Sequence, residues 1–234
     1  MFRWLTLLLL PLALPALAEL PVRPFEAHYT VYARGFEVGT GLIALEATGG
    51  SGYRMRSALE ATGLAELLFD DTIREQVEGR VNGRTIRPQD YRFERRGGDE
   101  TEITEYRFDW SRGQVEALHN GRRAVLELAP RTIDPLSIYL QVMTDLSQGR
   151  RPDRFELLDE LERKQYRVDY ADRGMLDTAL GAHEVLRVVR QRPGSSRRVE
   201  FWFAPALDYL PLQITQYKND SENLRMSIAA LRRD

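Results

Sequence analysis

Residues 25–35 decide the fold, and they read FEAHYTVYARG. Apolar side chains occupy every second position of this stretch, from Phe25 through Tyr29 to Ala33, with mostly polar side chains between them. A two-residue period places alternate side chains on opposite faces of an extended strand. The stretch therefore predicts a half-buried β-strand that ends in a turn at Gly35.

The same alternation recurs along most of the chain, between short turns rich in glycine and asparagine. Asn82-Gly83 and Asn120-Gly121 stand between such runs, and each pair favours a tight hairpin turn whose central residues take positive φ. About a dozen strands are expected, most of them joined as antiparallel hairpins. Residues 172–181 interrupt the pattern and are expected to form a loop, and the spacing over residues 63–69 predicts a short helical turn.

One segment has the period of a longer helix. Asp134 can accept hydrogen bonds from the first amides, and Pro135 suits the first turn because its missing N–H costs nothing there. Apolar residues then recur at three- and four-residue steps, and Gly149 ends the segment; the stripe consists of Leu136, Tyr139, Leu140, Met143 and Leu146. A lone helix of about four turns is marginal in water, so the stripe is expected to pack on the sheet.

These patterns together predict a mainly β fold. It is an antiparallel, strongly curved sheet or incomplete β-barrel of about a dozen strands, packed on one principal α-helix. No internal repeat and no linker-like change in composition divides the chain after its first residues. A single β-rich domain over residues 19–234 is expected.

Residues 1–18 have the pattern of a cleavable signal peptide. Arg3 precedes an apolar run that Pro11 and Pro15 interrupt, and Ala16-Leu17-Ala18 provides a small-x-small cleavage signal. The run is too short for a membrane span, which takes roughly 20 consecutive apolar residues. We therefore expect a periplasmic protein, exported through this peptide, with no transmembrane segment after cleavage.

The composition excludes several classes of function. The chain has 33 basic and 35 acidic residues and a net charge of −2, which provides no overall field for nucleic acid. It has no cysteine, which excludes thiol catalysis, thiolate metal sites and a lipid anchor on cysteine. It has no phosphate loop, dinucleotide fingerprint or nucleophile elbow. No cofactor and no metal site are expected.

Catalysis would need groups that are dispersed in sequence. His28, His119 and His183 lie in three different predicted strands, so no local pair of ligands or proton carriers is visible. The adjacent Asp70 and Asp71 are more typical of turn capping and solvation than of acid/base chemistry. A hydrolase that brings two or more of these five residues into one cleft is the third hypothesis for function. We expect no catalytic residues and no enzymatic activity.

Aromatic residues within the alternating segments favour either a packed core or an apolar concave face that receives a ligand, with the helix as lid or plug. The first hypothesis is a non-enzymatic binding module that holds a lipid or another apolar or amphipathic envelope molecule in a half-barrel cavity. Tyr139 and Met143 from the helix and Trp202 from a late strand are predicted to line that cavity.

The second hypothesis is a protein–protein interaction factor for cell-envelope assembly. Such a factor would recognise an envelope protein through an open sheet edge or an arginine-rich rim. Pairs of arginines flank several predicted turns, and Arg197-Arg198 is one of them. Acidic residues surround these pairs, which favours a solvated surface, while a contact with a lipid head group or glycan phosphate is the alternative interpretation.

Several short motifs occur in an order that resembles a bacterial envelope family. They are Tyr29-Thr30-Val31 with Gly35–Gly39, Asp71–Gly79, Arg87–Tyr91, Asp134–Tyr139, and Phe201–Ala204 leading to Leu210-Pro211-Leu212. Through this order, the chain resembles the domain of unknown function 3108 family over nearly all of the mature protein. The resemblance implies an exported β-rich domain in a Gram-negative bacterium and brings no established catalytic residues. The expected architecture is also similar to that of the half-barrel lipoprotein carriers of the periplasm.

Overall fold

The computed structural model describes residues 20–63, 72–97 and 100–233. Within these residues it contains a sheet of fifteen strands and one α-helix, α1 (Ser137–Ser147). The strands are β1 (Phe25–Ala33), β2 (Phe36–Gly49), β3 (Gly52–Ala61), β4 (Thr72–Asn82), β5 (Thr85–Gly97), β6 (Glu100–Asp109), β7 (Gln114–His119), β8 (Arg122–Glu127), β9 (Thr132–Ile133), β10 (Arg154–Asp159), β11 (Glu162–Thr178), β12 (Gly181–Gln191), β13 (Arg197–Ala204), β14 (Leu210–Lys218) and β15 (Ser221–Arg232).

Three sequence predictions fall on residues outside these ranges. They are the signal peptide over residues 1–18, the helical turn expected to continue through residues 64–69, and the acidic pair Asp70-Asp71. Among the described residues, no helix has the length and apolar character that crossing a membrane requires.

The order of the strands in the sheet is β8-β7-β6-β5-β4-β3-β2-β1-β15-β14-β13-β12-β11-β10-β9. Each half of the chain is a meander of antiparallel neighbours, and the two halves join where β1 pairs with β15, as in Tyr29 opposite Ile228. The two-residue strand β9 lies parallel to β10. The prediction of a mainly β, antiparallel and curved sheet around one helix is confirmed, with fifteen strands among the described residues rather than about a dozen.

Helix α1 lies inside the curve of the sheet and is buried on nearly all sides. Nine of its eleven residues are buried, including polar ones that a helix packed on one face would leave in water. These polar groups have partners on the sheet: the Gln141 Oε1 accepts from the Ile86 amide at 2.9 Å, and the Ser137 hydroxyl lies 2.8 Å from the Tyr53 hydroxyl. Satisfied buried polar groups orient a helix as well as anchor it. The helix is therefore a plug, with contacts well beyond its apolar stripe.

Asp134 accepts from the first amides as the sequence predicts. The helix begins only at Ser137, with Leu136 as its N-cap, so Pro135 precedes the first turn. The helix has eleven residues, about three turns rather than about four. The Asp134 Oδ1 accepts hydrogen bonds from the amides of Leu136 and Ser137 at 2.9 and 2.8 Å. These amides have no partner within the helix, so the carboxylate satisfies donors that would otherwise be buried without one. At the other end, Gly149 adopts φ +72°, a conformation that suits glycine after a helix.

The prediction of a loop over residues 172–181 is wrong. Strand β11 continues to Thr178, and a change of register between Tyr170 and Arg173 absorbs the irregular residues. Strand β12 pairs with it as far as Gly181, opposite Thr178, so backbone hydrogen bonds maintain the strand. This end of β11 is mostly exposed, as at Met175, so the side chains carry little alternation that would reveal a strand.

Gly79 on β4 provides the space through which Tyr53 reaches the helix. A Cβ at this position would lie 2.7 Å from the Tyr53 hydroxyl and 2.5 Å from the Arg87 carbonyl oxygen, and backbone cannot move aside cheaply. We expect Gly79→Ala to lower the free energy of unfolding by about 1–3 kcal/mol in urea titrations. Gly174→Ala is the control, because a Cβ there has no heavy atom within 4 Å. Equal stability of the two variants would contradict this role of Gly79.

Candidate ligand-binding site

Tyr139 and Met143, the two helical residues predicted to line a cavity, differ in how deeply they are buried. Met143 is 0 % exposed and belongs to the core. Tyr139 is partly buried, and its ring meets that of Phe201 on β13 edge to face, with centroids 5.6 Å apart. The two residues are one helical turn apart, and Tyr139 is the one that reaches the boundary of the core.

The cavity beside Tyr139 is small. Its volume is about 20 Å³, room for about one water molecule. It lies between the helix and the aromatic strands of the second half of the sheet, and it is lined by Ile138, Tyr139, Val142, Phe155, Val168, Val188, Arg190, Phe201 and Phe203. The interior at this point is packed with side chains, and Arg190 is the charged group in its wall.

Trp202 does not join Tyr139 in this wall. It stands between Phe201 and Phe203, whose rings stack with centroids 5.6 Å apart on the core side of β13. Successive side chains of a strand point to opposite faces, so the Trp202 side chain leaves on the other face of the sheet. It is partly buried there, opposite Arg187 and Gln213 on the neighbouring strands. The structure thus brings Tyr139 and Met143 into one helix-centred region and leaves Trp202 outside it.

Arg190 lacks the partners that a partly buried guanidinium ordinarily has. Its Nε is buried without a hydrogen-bond acceptor among the described residues, and its side chain forms no ion pair with any of them. The guanidinium carbon lies 5.2 Å from the centroid of the Tyr166 ring and 5.7 Å from that of Phe201. Contacts with the ring faces offset part of the cost of removing the charge from water, and they leave its hydrogen-bonding capacity unused.

Arg190 also faces a larger open groove at the hairpin ends of β10–β15. We call it the basic groove; its volume is about 600 Å³. Its charged lining residues are six cations, Lys164, Arg190, Arg192, Arg197, Arg198 and Lys218, and two carboxylates, Asp159 and Glu160. Lys164 is paired with Asp159 at 2.8 Å, and Arg198 with Glu200 at 3.0 Å. Arg192 and Arg197 are exposed and form no ion pair with a described residue, so the groove carries an excess of positive charge.

A carboxyl group also lies on the inner face of the sheet. Glu75 on β4 accepts a hydrogen bond from the Tyr91 hydroxyl at 2.8 Å. The pKa of Glu75 is raised to about 7, mainly by burial and in smaller part by the nearby Asp134 carboxylate, while the hydrogen bond from Tyr91 and the charge of Arg190 act to lower it. Burial likewise raises the pKa of the Tyr139 hydroxyl to about 12, with Arg190 acting in the opposite direction. Glu75, Tyr139 and Arg190 therefore share one electrostatic environment inside the sheet.

The groups expected of a dispersed hydrolase have separate surroundings. The His28 Nε2 lies 2.8 Å from the Glu26 carboxylate, the His119 Nδ1 lies 2.9 Å from the Thr104 hydroxyl, and His183 lies near the Leu180 carbonyl oxygen. These strands are β1, β7 and β12, which are not neighbours in the sheet. In the described part of the chain, no three acidic or histidine side chains are grouped so as to hold a metal ion.

Sequence reasoning missed both Glu75 and Arg190, although a signal was present. Leu186, Val188 and Arg190 occupy successive inward positions of β12, and Ile73, Glu75 and Val77 do so on β4. A charged residue at a position where the period predicts an apolar one marks a group with a role inside the fold.

A family model described as "Protein of unknown function (DUF3108)" matches residues 28–227. The chain belongs to the DUF3108 family. The resemblance stated from the order of motifs is thereby confirmed. In this DUF3108 chain the matched region includes β2 to β14, α1 and every residue of the basic groove.

One solved structure similar to this DUF3108 chain supports the fold. A β-barrel-like protein of domain of unknown function DUF1849 from Brucella abortus has a TM-score of 0.59 and 12% identity, with 91% of this chain and 98% of that one covered. At this identity the likeness shows the fold alone. No curated protein matches the chain.

Two further structures match at lower TM-scores. A Bacteroides fragilis protein described as exported, with a YmcC-like fold, has a TM-score of 0.32 and 10% identity, with 92% of this chain and 97% of that one covered. A Parabacteroides distasonis protein described as a lipoprotein has a TM-score of 0.34 and 10% identity, with 91% of this chain and 96% of that one covered. These two scores are too low to support a comparison of sites.

Proposed function

We propose that this chain is a non-enzymatic binding module of the cell envelope that holds an anionic amphipathic molecule in the basic groove. The anionic group contacts Arg190, with Arg192 and Arg197 beside it. The apolar part lies against Tyr166 and the edge of the aromatic wall that contains Tyr139. Export to the periplasm through residues 1–18 belongs to the same proposal, because an envelope molecule is met there.

The observation that carries the proposal is the guanidinium of Arg190, which has neither a hydrogen-bond acceptor nor an ion-pair partner in the part of the chain that the structure describes. Its buried Nε has no acceptor among the described residues, and the side chain lies at the junction of an apolar cavity and an open groove with excess positive charge. Arginine is the side chain best suited to phosphate and carboxylate groups, because its planar fork donates two parallel hydrogen bonds. A bound anion in the groove would accept from the terminal Nη groups of Arg190, for which no described residue provides an acceptor.

The packed interior limits which part of the molecule enters the sheet. A cavity of about 20 Å³ cannot hold an acyl chain, so the half-barrel cavity of the first hypothesis is replaced by the groove of about 600 Å³, a volume typical of small-molecule sites. Met143 is buried in the core and lines neither the cavity nor the groove. Trp202 faces away and has no contact with the ligand in this arrangement.

We expect Arg190→Gln to weaken binding of n-dodecyl phosphate by about tenfold or more, measured by isothermal titration below the micelle concentration. The reason is the loss of charged hydrogen bonds worth about 1.5–3 kcal/mol. The matched control is Arg173→Gln, which removes an exposed arginine of β11 that pairs with Glu184 on β12 and does not line the basic groove. Thermal unfolding of both variants checks that the fold is retained.

A second measurement uses the molecule that the cell provides. Organic extracts of gently purified protein, analysed by mass spectrometry, should contain an anionic amphiphile in the wild type and in Arg173→Gln, and much less of it in Arg190→Gln. Clean wild-type extracts from several preparations, together with equal binding of n-dodecyl phosphate by wild type and Arg190→Gln, would overturn the proposal.

A further inference from the structure

Strand β8 is a free edge of the sheet. It pairs with β7 on one side, and no described strand pairs with it on the other. The opposite edge, β9, has only two residues, whereas β8 has six. A free edge presents unpaired N–H and C=O groups that a further strand can bind.

The turn before β8 determines which backbone groups are free. Asn120 and Gly121 take φ +46° and +80°, so His119 and Arg122 flank a two-residue turn and form a hydrogen-bonded pair. Such pairs alternate along an antiparallel ladder, and the Leu128 amide donates to the Gly113 carbonyl oxygen at 2.8 Å in the same series. The even-numbered residues of β8 therefore pair with β7, and the odd-numbered ones direct their backbone groups outward.

The three outward residues are Arg123, Val125 and Glu127, and their side chains share one exposed face of the sheet. Val125 is 64% exposed, among the most exposed large apolar side chains described. Arg123 and Glu127 form no ion pair with a described residue. The edge thus carries a cation, an apolar centre and an anion at steps of two residues.

We propose that β8 pairs with β8 of a second copy, about a twofold axis at Val125. In this register Val125 faces Val125 of the second copy, and Arg123 faces Glu127 of the second copy on both sides of the axis. All three outward residues of each chain then form hydrogen-bonded pairs, which gives six interchain backbone hydrogen bonds. The pattern Arg-x-Val-x-Glu is its own complement when it is read antiparallel.

Self-complementarity is what favours a second copy over another extended segment. A charged edge ordinarily prevents association, because like charges meet in most registers. Here the register that uses every free backbone group is also the one that places opposite charges face to face. Since only one short strand from each chain takes part, we expect a weak, reversible dimer, whose fraction rises with protein concentration, rather than a permanent assembly.

The first test uses the absence of cysteine from the native chain. Residues in a hydrogen-bonded antiparallel pair have Cα atoms about 5.5 Å apart, a separation that a disulfide spans. Full-length mature Val125→Cys should form a covalent dimer on mild oxidation, seen by non-reducing electrophoresis. Met175→Cys is the control, because Met175 is 69% exposed and lies on β11. Equal crosslinking of the two variants, or none of Val125→Cys, would count against the dimer.

The second test reverses charges and is read by sedimentation velocity over a range of concentrations. Arg123→Glu places two carboxylates face to face at both pairs, and we expect the dissociation constant to rise about tenfold or more. The double variant Arg123→Glu with Glu127→Arg restores opposite charges and should restore the dimer. A wild type that stays monomeric at every concentration, or a double variant no better than the single one, would overturn the proposal.

Discussion

Replacing Met143 with alanine is expected to lower the free energy of unfolding by about 2–5 kcal/mol, measured by urea titration. Met143 is 0 % exposed on a helix that is buried on nearly all sides, so truncation leaves a void that neighbouring side chains cannot fill. The loss has two parts. The variant no longer gains the free energy of transferring the methionine side chain from water into the core, and a cavity remains because the surrounding sheet relaxes only partly.

Met175→Ala is the matched control for this prediction. It removes the same side chain from a position that is 69% exposed, so the free energy of unfolding should change by no more than about 0.5 kcal/mol. If Met143 instead lined an open cavity, Met143→Ala would also cost little and would mainly weaken ligand binding. A loss below about 1 kcal/mol would show that the core around the helix is not closed.

Replacing Glu75 with glutamine is expected to stabilise the protein by about 3 kcal/mol at pH 8 and to have little effect at pH 4. The pKa of Glu75 is raised from 4.5 to about 7 because the carboxyl group is buried on the inner face of the sheet. Glutamine has no charge to bury, and its Oε1 can still accept the hydrogen bond from Tyr91.

The direction of the pH dependence follows from proton binding. Between pH 4.5 and 7 the folded protein binds the Glu75 proton more tightly than the unfolded chain does. The contribution of Glu75 to stability is therefore greatest below about pH 4.5, falls as the pH rises, and is lost above about pH 7. Urea titrations of wild type and Glu75→Gln at several pH values measure the difference directly.

Glu78→Gln is the control on the same strand. Glu78 lies on the outer face and pairs with Arg54 at 2.8 Å, and a surface pair of this kind contributes about 1 kcal/mol or less. The difference between Glu78→Gln and wild type should stay small from pH 4 to pH 8. A Glu75→Gln variant whose advantage over wild type does not grow with pH would show that the Glu75 carboxyl group is not buried in the folded protein.

Local patterns accounted for the secondary structure wherever one face of an element is buried. The alternation from Phe25 to Ala33 predicted β1, and Asp134 and Gly149 flank the segment that contains α1. The pattern failed over residues 172–181, where exposure on both faces of β11 removes the alternation. Periodicity reports burial, so it reveals a strand only where burial differs between its faces.

The sequence predicted less of the candidate site than of the fold. Tyr139 was predicted to line a ligand cavity; it borders the cavity of about 20 Å³ between the helix and the sheet, and its role in binding stays a prediction. Arg190 was not predicted as a site residue, because a single arginine among apolar residues is also typical of a strand end that reaches solvent. That no described residue provides an acceptor for its Nε became visible only when the residues packed around it were known.

The sequence by itself determined the class of fold, since alternation, hairpin turns and helix caps each depend on residues only a few positions apart. Tertiary structure alone decided the rest: the pairing of β1 with β15, the burial of α1 on nearly all sides, and the shared environment of Glu75, Tyr139 and Arg190. These features depend on contacts between residues far apart in the chain. A short-range period does not encode which distant strand will pair with a given strand. It also does not encode whether a distant residue will lie close enough to Arg190 to accept its hydrogen bonds.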